Sequence, residues 1–143
     1  MRTAICGTSL SSYSDTIIAV VPEALRAVLK SVTKYTDNTG NSSSASTVTA
    51  TTDYFFLLSA YEVFGTIRHG NLNEASKQAQ YSYYSAGNSK VKYNHSATKT
   101  AVIWRLRSPN AGNSTYFVLV NTDGSDGIGA AAASVGFAPG FCV

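Results

Sequence analysis

The chain has 143 residues and a formal net charge of +3, with 44% hydrophobic but only 13% charged residues. This length fits one domain spanning residues 1–143, since two domains would each have a thin core. The aromatic content of 11% is enough to bury a core, which excludes intrinsic disorder as the class. No apolar run approaches the roughly 18 residues of a membrane span, so we expect no membrane insertion.

The positive charge is concentrated in residues 90–107, which contain five basic residues and no acidic one. Tyr93 and Trp104 lie among them, and a basic stretch with aromatic residues can indicate nucleic-acid binding. Five charges over eighteen residues are too sparse for such a patch, so we predict no nucleic-acid partner. Arg105 and Arg107 alternate along a predicted strand and are expected to pair with carboxylates or to cap loops.

In chain order, the first twenty residues predict a short strand, a Ser/Tyr turn and an apolar run. Pro22 suits the first turn of a helix, and apolar residues then recur at helical spacing, which predicts a helix over 22–33. The Asn/Ser/Thr/Gly-rich stretch 35–52 predicts an exposed loop, and residues 54–58 predict a buried strand.

Two further helices are predicted in the middle of the chain. Ser59 and Glu62 have the spacing of a capping box, which predicts a short helix over 60–64 ended by Gly65. After a loop, Asn73 is a candidate cap for a helix over 74–85, ended by the Gly-Asn pair at 87–88.

The last third of the chain predicts mostly strands. The strands are expected at 91–93, 101–106 (broken by Pro109), 116–120 and 137–143, with a hairpin turn at 121–124. The alanine run 130–133 is predicted as loop and strand because glycines flank it. Helices come first and strands later, so the predicted class is α+β.

No catalytic constellation is recognisable, and we expect neither an enzyme nor a cofactor. The segment from Asp123 to Asp126 resembles half of a calcium loop but lacks the closing glutamate, so it predicts a turn. His95 is expected in a solvated loop. Cys6 and Cys142 either form a bridge between the termini or are two buried thiols. The polar start of the chain lacks the apolar segment of a signal peptide, which predicts export by another route or a fragment of a larger protein.

Four sequence blocks, in this order, carry a family resemblance. They are TDYFFLLSAYEVFG at 52–65, QYSYYSAGNSKVKY at 80–93, WRLRSP at 104–109 and GFAPGFCV at 136–143. Over roughly residues 20–143 the chain resembles a phage and prophage tail-associated family of Gram-positive gut bacteria. That family includes variable proteins of diversity-generating retroelements. Its members usually have Trp where Arg105 stands and Val where Phe137 stands.

The resemblance implies a C-type-lectin-like fold with two main helices, small twisted antiparallel sheets and long loops, binding ligands without calcium. In such systems a reverse transcriptase miscopies adenines, typically in AAC or AAT codons. Changing the first two bases of these codons can never encode Lys, Glu, Gln, Met or Trp. These five residue types are absent from residues 110–143, whereas the first 109 residues contain thirteen of them. The tail therefore agrees with a codon-level rewriting rule.

Alignment with the family pattern predicts a variable, ligand-binding set that must be exposed, because random core substitutions cost about 2–5 kcal/mol. The predicted set is Arg105, Asn110, Ala111, Gly112, Asn113, Thr115, Tyr116, Leu119, Gly127, Ile128, Gly129, Ala130, Ala133 and Val135. The predicted scaffold is Trp104, Leu106, Arg107, Pro109, Phe117, Val120, Gly124, Gly136, Pro139 and Phe141.

The resemblance implies a receptor-recognition domain of a phage tail protein that binds a bacterial cell-surface protein or glycan. Its implied partners are other tail proteins and, by analogy with tail fibres, two further copies in a homotrimer. Its location would be the virion tail tip or, for a prophage, the bacterial cytoplasm before assembly. The alternative is a fixed adhesin or lectin of the same fold at the bacterial cell surface. Formylglycine-generating chemistry on this fold would need a reactive cysteine pair in a cleft, and here the cysteines lie near the chain ends.

Overall fold

The computed structural model describes Leu10 and residues 16–143, which form a mixed α+β structure with short helices and small antiparallel sheets. The helices are α1 Glu23–Arg26, α2 Ala60–Phe64 and α3 Ser82–Ser85, with 3₁₀ segments at Ile17–Val20, Ala45–Thr47 and Leu72–Lys77. The strands are β1 Val32–Asp37, β2 Val48–Asp53, β3 Phe55–Leu57, β4 Lys92–Tyr93, β5 Ala101–Val102, β6 Trp104–Asn110, β7 Asn113–Val120, β8 Asp126–Ala130 and β9 Pro139–Phe141. Strand pairing is β1–β2, β3–β9, β4–β5 and β6–β7–β8.

The chain divides into two compact units. The first contains the described residues up to Lys34, together with Ala50–Phe56 and Pro139–Val143. The second contains Tyr35–Thr49 and Leu57–Ala138. All of the predicted ligand-binding residues belong to this second unit. Among the residues that the structure describes, no helix is long and apolar enough to cross a membrane.

The first unit has its own small core, built on Ile18, Leu29 and Phe55. The helix predicted over 22–33 is wrong in extent, because only the single turn α1 is helical and β1 already begins at Val32. Val28 is 51% exposed, so the apolar stripe that predicted a longer helix is not buried along its length. Starting a helix costs free energy, and a short helix recovers that cost mainly by burying an apolar face. Without such burial, a longer helix here would not be stable.

Both ends of this unit bear on earlier predictions. The strand and turn predicted at the start of the chain fall largely before residue 16, outside the described residues, and so does Cys6. Cys142 is half-buried and free. The final strand is confirmed as β9, although it is shorter than predicted.

The loop predicted over 35–52 is wrong at both ends, because residues 35–37 belong to β1 and residues 48–52 belong to β2. The threonines that suggested a solvated loop are β-branched and favour strands. Where the pair ends in the second unit, the Asn38 amide donates to Thr49 Oγ1 at 2.6 Å. The remaining loop turns at Gly40 and Asn41, which both have left-handed backbone conformations.

Helix α2 is confirmed together with its predicted caps. The Ser59 hydroxyl accepts from the Glu62 N–H at 3.1 Å, and the Glu62 carboxylate accepts from the Ser59 N–H at 2.8 Å. Gly65 ends the helix in a left-handed conformation, with φ of 69°. Capping places Ala60 and Val63 in the core of the second unit, where they join Trp104 and other buried apolar residues.

The helix predicted over 74–85 is wrong and is replaced by the 3₁₀ segment Leu72–Lys77 and the single turn α3. The cap of the first segment is Asn71, whose side chain accepts from the Asn73 N–H. Gln78 is fully extended, which separates the two helical pieces. Within the first segment, Glu74 is fully buried, and its carboxylate is bonded to neighbouring elements instead of facing solvent.

Pro109 lies inside β6 and does not end the strand, which corrects the prediction that it breaks there. The pairing of β6 with β7 shifts register on both sides of Pro109, and proline is tolerated in strands at such irregularities. The hairpin turn at 121–124 is confirmed, with Gly124 at φ of 86° and its N–H donating to the Asn121 carbonyl. The short strand expected at 91–93 is also confirmed, as β4.

Candidate ligand-binding surface

Strands β7 and β8 bring the two halves of the predicted ligand-binding set together. Their antiparallel register places Tyr116 opposite Ala130 and Leu119 opposite Gly127. Just beyond the strand, the Ala131 N–H donates to the Thr115 carbonyl at 2.7 Å. Residues far apart in sequence therefore become direct neighbours across one strand pair.

Eleven of the fourteen predicted residues are at least partly exposed, and we call them the β7–β8 surface. It consists of Ala111, Gly112, Asn113, Thr115, Tyr116, Gly127, Ile128, Gly129, Ala130, Ala133 and Val135. No member carries a charged side chain. Tyr116 and the 45% exposed Ile128 are its largest side chains. A ligand would therefore meet a neutral surface with few large groups.

Three predicted residues are buried, so the expectation that the whole set is exposed is wrong for Arg105, Asn110 and Leu119. Leu119 lies on β7, the middle strand of its sheet, and is only 5% exposed. Asn110 donates to the His69 carbonyl and accepts from the Gly112 N–H, both at 2.9 Å. These residues support the surface from beneath and shape it without forming its exterior.

Gly129 leaves room for Leu119. A β-carbon at position 129 would lie 2.6 Å from the Leu119 Cδ1 atom, well inside normal contact. A larger residue there requires the leucine side chain to move. The buried Leu119 and the half-buried Gly129 are therefore coupled in size, even though both were predicted to vary freely.

Arg105 holds the segment that follows β8. Its Nη2 group donates to the carbonyls of Ala130 and Ala133, at 2.9 and 3.0 Å. The guanidinium carbon lies 5.6 Å from the centre of the Phe117 ring. Burial lowers the pKa of Arg105 from its usual value. The expectation that this arginine caps a loop is confirmed.

The tip of the β6–β7 hairpin rests on the loop that follows β1, a contact that the sequence did not suggest. The Asn41 N–H donates to the Asn110 carbonyl at 3.0 Å. A β-carbon on Gly40 would lie 3.2 Å from the Cα atom of Ser114, so the two backbones approach closely. The only local signal was the turn composition Asn-Thr-Gly-Asn at 38–41, which predicts a turn but not its neighbour.

A buried polar network lies behind this hairpin. The Glu74 carboxylate accepts from the Ser108 hydroxyl at 2.5 Å and from the Asp37 N–H at 2.9 Å. Burial raises the pKa of Glu74, although both hydrogen bonds oppose the change. Desolvation also acts to raise the pKa of Asp37, but hydrogen bonds from Thr39, Thr47 and Asn71 outweigh it and the pKa is lowered. The network joins the end of β6 to the end of β1 and to the 3₁₀ segment Leu72–Lys77.

We expect Glu74→Gln to remove a component of the pH dependence of stability. Because the folded-state pKa of Glu74 is raised, its contribution is complete below the unfolded-state value near 4.5 and is lost as the pH rises through the folded-state pKa. Each unit of that rise is worth about 1.4 kcal/mol. In urea denaturation from pH 4 to 8, the wild type should lose stability relative to Glu74→Gln as the pH increases. Parallel pH profiles for the two proteins would contradict this assignment.

Arg107, one of the predicted scaffold residues, forms a largely buried ion pair with Glu62. Its Nη1 group lies 2.5 Å from the Glu62 carboxylate and 2.7 Å from the Leu57 carbonyl. Its Nε–H donates to the Thr36 hydroxyl at 2.8 Å. The expectation that this arginine pairs with a carboxylate is confirmed, and the pairing joins β6 to helix α2.

The half calcium loop is a turn, as predicted. The Asp123 carboxylate accepts from the Ser125 N–H at 2.9 Å and from the Ser125 hydroxyl at 2.6 Å, and these bonds lower the pKa of Asp123. His95 lies in an exposed loop. Within the described residues, no group of three or more His, Cys, Asp or Glu side chains is placed to hold a metal ion.

The comparisons with known proteins give one family and no relative of known function. No curated protein and no solved structure matches the chain significantly. One family model, described as a domain of unknown function, DUF6273, matches residues 9–143 and therefore nearly the whole chain, including every residue of the β7–β8 surface. The chain thus belongs to the DUF6273 family.

Proposed function

We propose that this chain is the receptor-recognition domain of a phage tail protein, with a C-type-lectin-like fold, diversified by a retroelement. Its ligand would be a bacterial cell-surface protein or glycan. The proposal is carried by the restricted residue set of positions 110–143, which matches what rewritten AAC and AAT codons can encode. In support, eleven of the fourteen residues predicted from this pattern are at least partly exposed, and those of them that lie on β7 and β8 are on neighbouring strands.

The composition of the surface favours weak, adaptable binding by each copy. Small neutral residues surround Tyr116, whose ring offers apolar area with a polar end and would act as the natural anchor. A tail that displays several copies would convert weak monovalent affinity into firm adhesion. The homotrimer expected from tail fibres would supply such display.

Sequencing the locus in many isolates tests the diversification. We expect differences at adenine-template positions within codons 105–135, concentrated on the β7–β8 surface, while Trp104 and Leu106 stay constant. A near-identical template repeat and a reverse transcriptase gene should lie nearby. The absence of both would overturn the diversification. An export signal on the parent gene would favour the fixed adhesin at the bacterial surface.

Tyr116→Ala tests the surface itself. We expect at least about a tenfold loss of binding to cells of the host bacterium, because aromatic anchors dominate such interfaces. Fluorescently labelled tetramers of the domain, measured by flow cytometry, provide the readout. Tyr93→Ala is the matched control, since Tyr93 is 56% exposed on β4, outside the β7–β8 surface. Equal losses of cell binding for the two variants would argue against the β7–β8 surface as the binding site.

A further inference from the structure

The Arg105 guanidinium has unused hydrogen-bonding capacity. The residue is only 8% exposed, and its Nη1 atom is buried without any hydrogen-bond partner. Both donors of Nη2 are occupied by the Ala130 and Ala133 carbonyls. Two N–H groups of a permanently charged side chain are therefore left unsatisfied beside the β7–β8 surface.

The charge of Arg105 is also uncompensated. Among the described residues, no carboxylate lies within salt-bridge distance of this guanidinium, whereas Arg107 is paired with Glu62. Asp126, on the edge strand β8 of the same sheet, contacts Arg68 and His69 instead. Carbonyl dipoles and the Phe117 ring stabilise the cation only in part. A buried charge without a counterion is costly, so an arriving anion would gain more here than at the surface.

The segment next to the guanidinium carries only small side chains. Residues 131–134 are Ala-Ala-Ala-Ser, and the last three are exposed. The segment is tied down by the two bonds to Arg105, by the bond from the Ala131 N–H to Thr115, and by a turn bond from the Ala133 N–H to the Ala130 carbonyl. No large side chain of this segment has to leave the core for it to shift. It is also continuous with the β7–β8 surface through Ala130 and Val135.

We propose that Arg105 is a carboxylate-recognition site within the β7–β8 surface, reached when residues 131–134 shift. One carboxylate oxygen would accept from an Nη1 N–H group, while Nη2 keeps the Ala130 carbonyl and gives up the Ala133 carbonyl, which belongs to the shifting segment. The contact is centred on Nη1, the nitrogen that has no partner in the closed arrangement. This inference rests on the proposed function and specifies the ligand class, an acidic sugar or an acidic protein side chain.

Titration of the intact domain with carboxylate probes tests the site. The Nε–Hε signal of Arg105 is followed by NMR while sodium acetate, glucuronate or N-acetylaspartate amide is added, with sodium chloride matching the ionic strength. We expect saturable shifts of Arg105 with the carboxylates and none with chloride. Stronger binding of glucuronate would identify a sugar ligand, and stronger binding of the aspartate derivative a protein ligand.

Two variants test whether Arg105 itself binds the carboxylate. Arg105→Gln should weaken carboxylate binding at least about tenfold, as expected for a charged hydrogen bond. Arg68→Gln should leave it unchanged, because Arg68 is 72% exposed and already paired with Asp126. A linear Arg105 response equal to that of chloride, or undiminished binding by Arg105→Gln, overturns the site. If Arg105→Gln does not fold, the wild-type titration decides alone.

The failures of the two proposals are distinguishable. Invariant sequences across isolates would rule out diversification by a retroelement, but they would not affect saturable carboxylate binding at Arg105. Absence of carboxylate binding would leave a variable surface that takes neutral ligands.

Discussion

Replacing Arg107 by Met is expected to destabilise the domain by about 3–5 kcal/mol, the range for breaking a buried ion pair. The change takes the cation away from the buried Glu62 carboxylate. It also deprives the Leu57 carbonyl, the Thr36 hydroxyl and the Gln78 side chain of their donor. Methionine has a similar length, so the loss of stability would come mainly from the missing polar contacts and less from a cavity.

Urea denaturation followed by far-UV circular dichroism measures this effect. Arg68→Met is the matched control, because Arg68 also pairs with a carboxylate but is 72% exposed. Exposed ion pairs contribute about 0–1 kcal/mol. Similar losses for the two variants would show that the Arg107 pairing is no more important than a surface one. A large loss for Arg107→Met alone would identify it as the tie between β6 and helix α2.

Local rules predicted the parts of this fold that depend on a few adjacent residues. The Ser59–Glu62 capping box and the Gly124 turn are specified by side chains that bond to their own backbone neighbourhood. The helix predicted over 22–33 failed because helical periodicity needs a partner surface along its whole length, and none covers Val28. A sequence shows the stripe but not what it packs against.

At the candidate site, too, local features were predicted correctly and features that depend on packing were not. Composition and the family pattern predicted where the exposed segments fall, but they did not separate Thr115 from Leu119 on the same strand. That distinction depends on a sheet covered on both sides. Trp104, Leu106 and Val118 pack on the core side, and Arg105 and the segment after β8 lie on the other. The contact of Asn41 with the hairpin is nonlocal and left no local signal beyond a turn.

Leu119→Asn is expected to cost about 3–5 kcal/mol, because it removes a buried apolar side chain and buries an amide in its place. Asparagine is the informative choice, since an unaltered AAC or AAT template codon encodes it. If codon 119 were rewritten freely, this variant would have to fold. The burial of Leu119 at 5% exposure predicts instead that most such variants are lost.

Thr115→Asn is the matched control for this substitution, on the same strand and from the same codon class. Thr115 is exposed, so its replacement should change the unfolding free energy by less than about 0.5 kcal/mol. Thermal and urea denaturation of the two variants decide the matter. If Leu119→Asn is as stable as Thr115→Asn, position 119 is freely variable and the core of this sheet is more tolerant than its packing indicates. If only Leu119→Asn unfolds, selection for folding restricts codon 119 to apolar residues, and the variable set reduces to the β7–β8 surface with Arg105 beneath it.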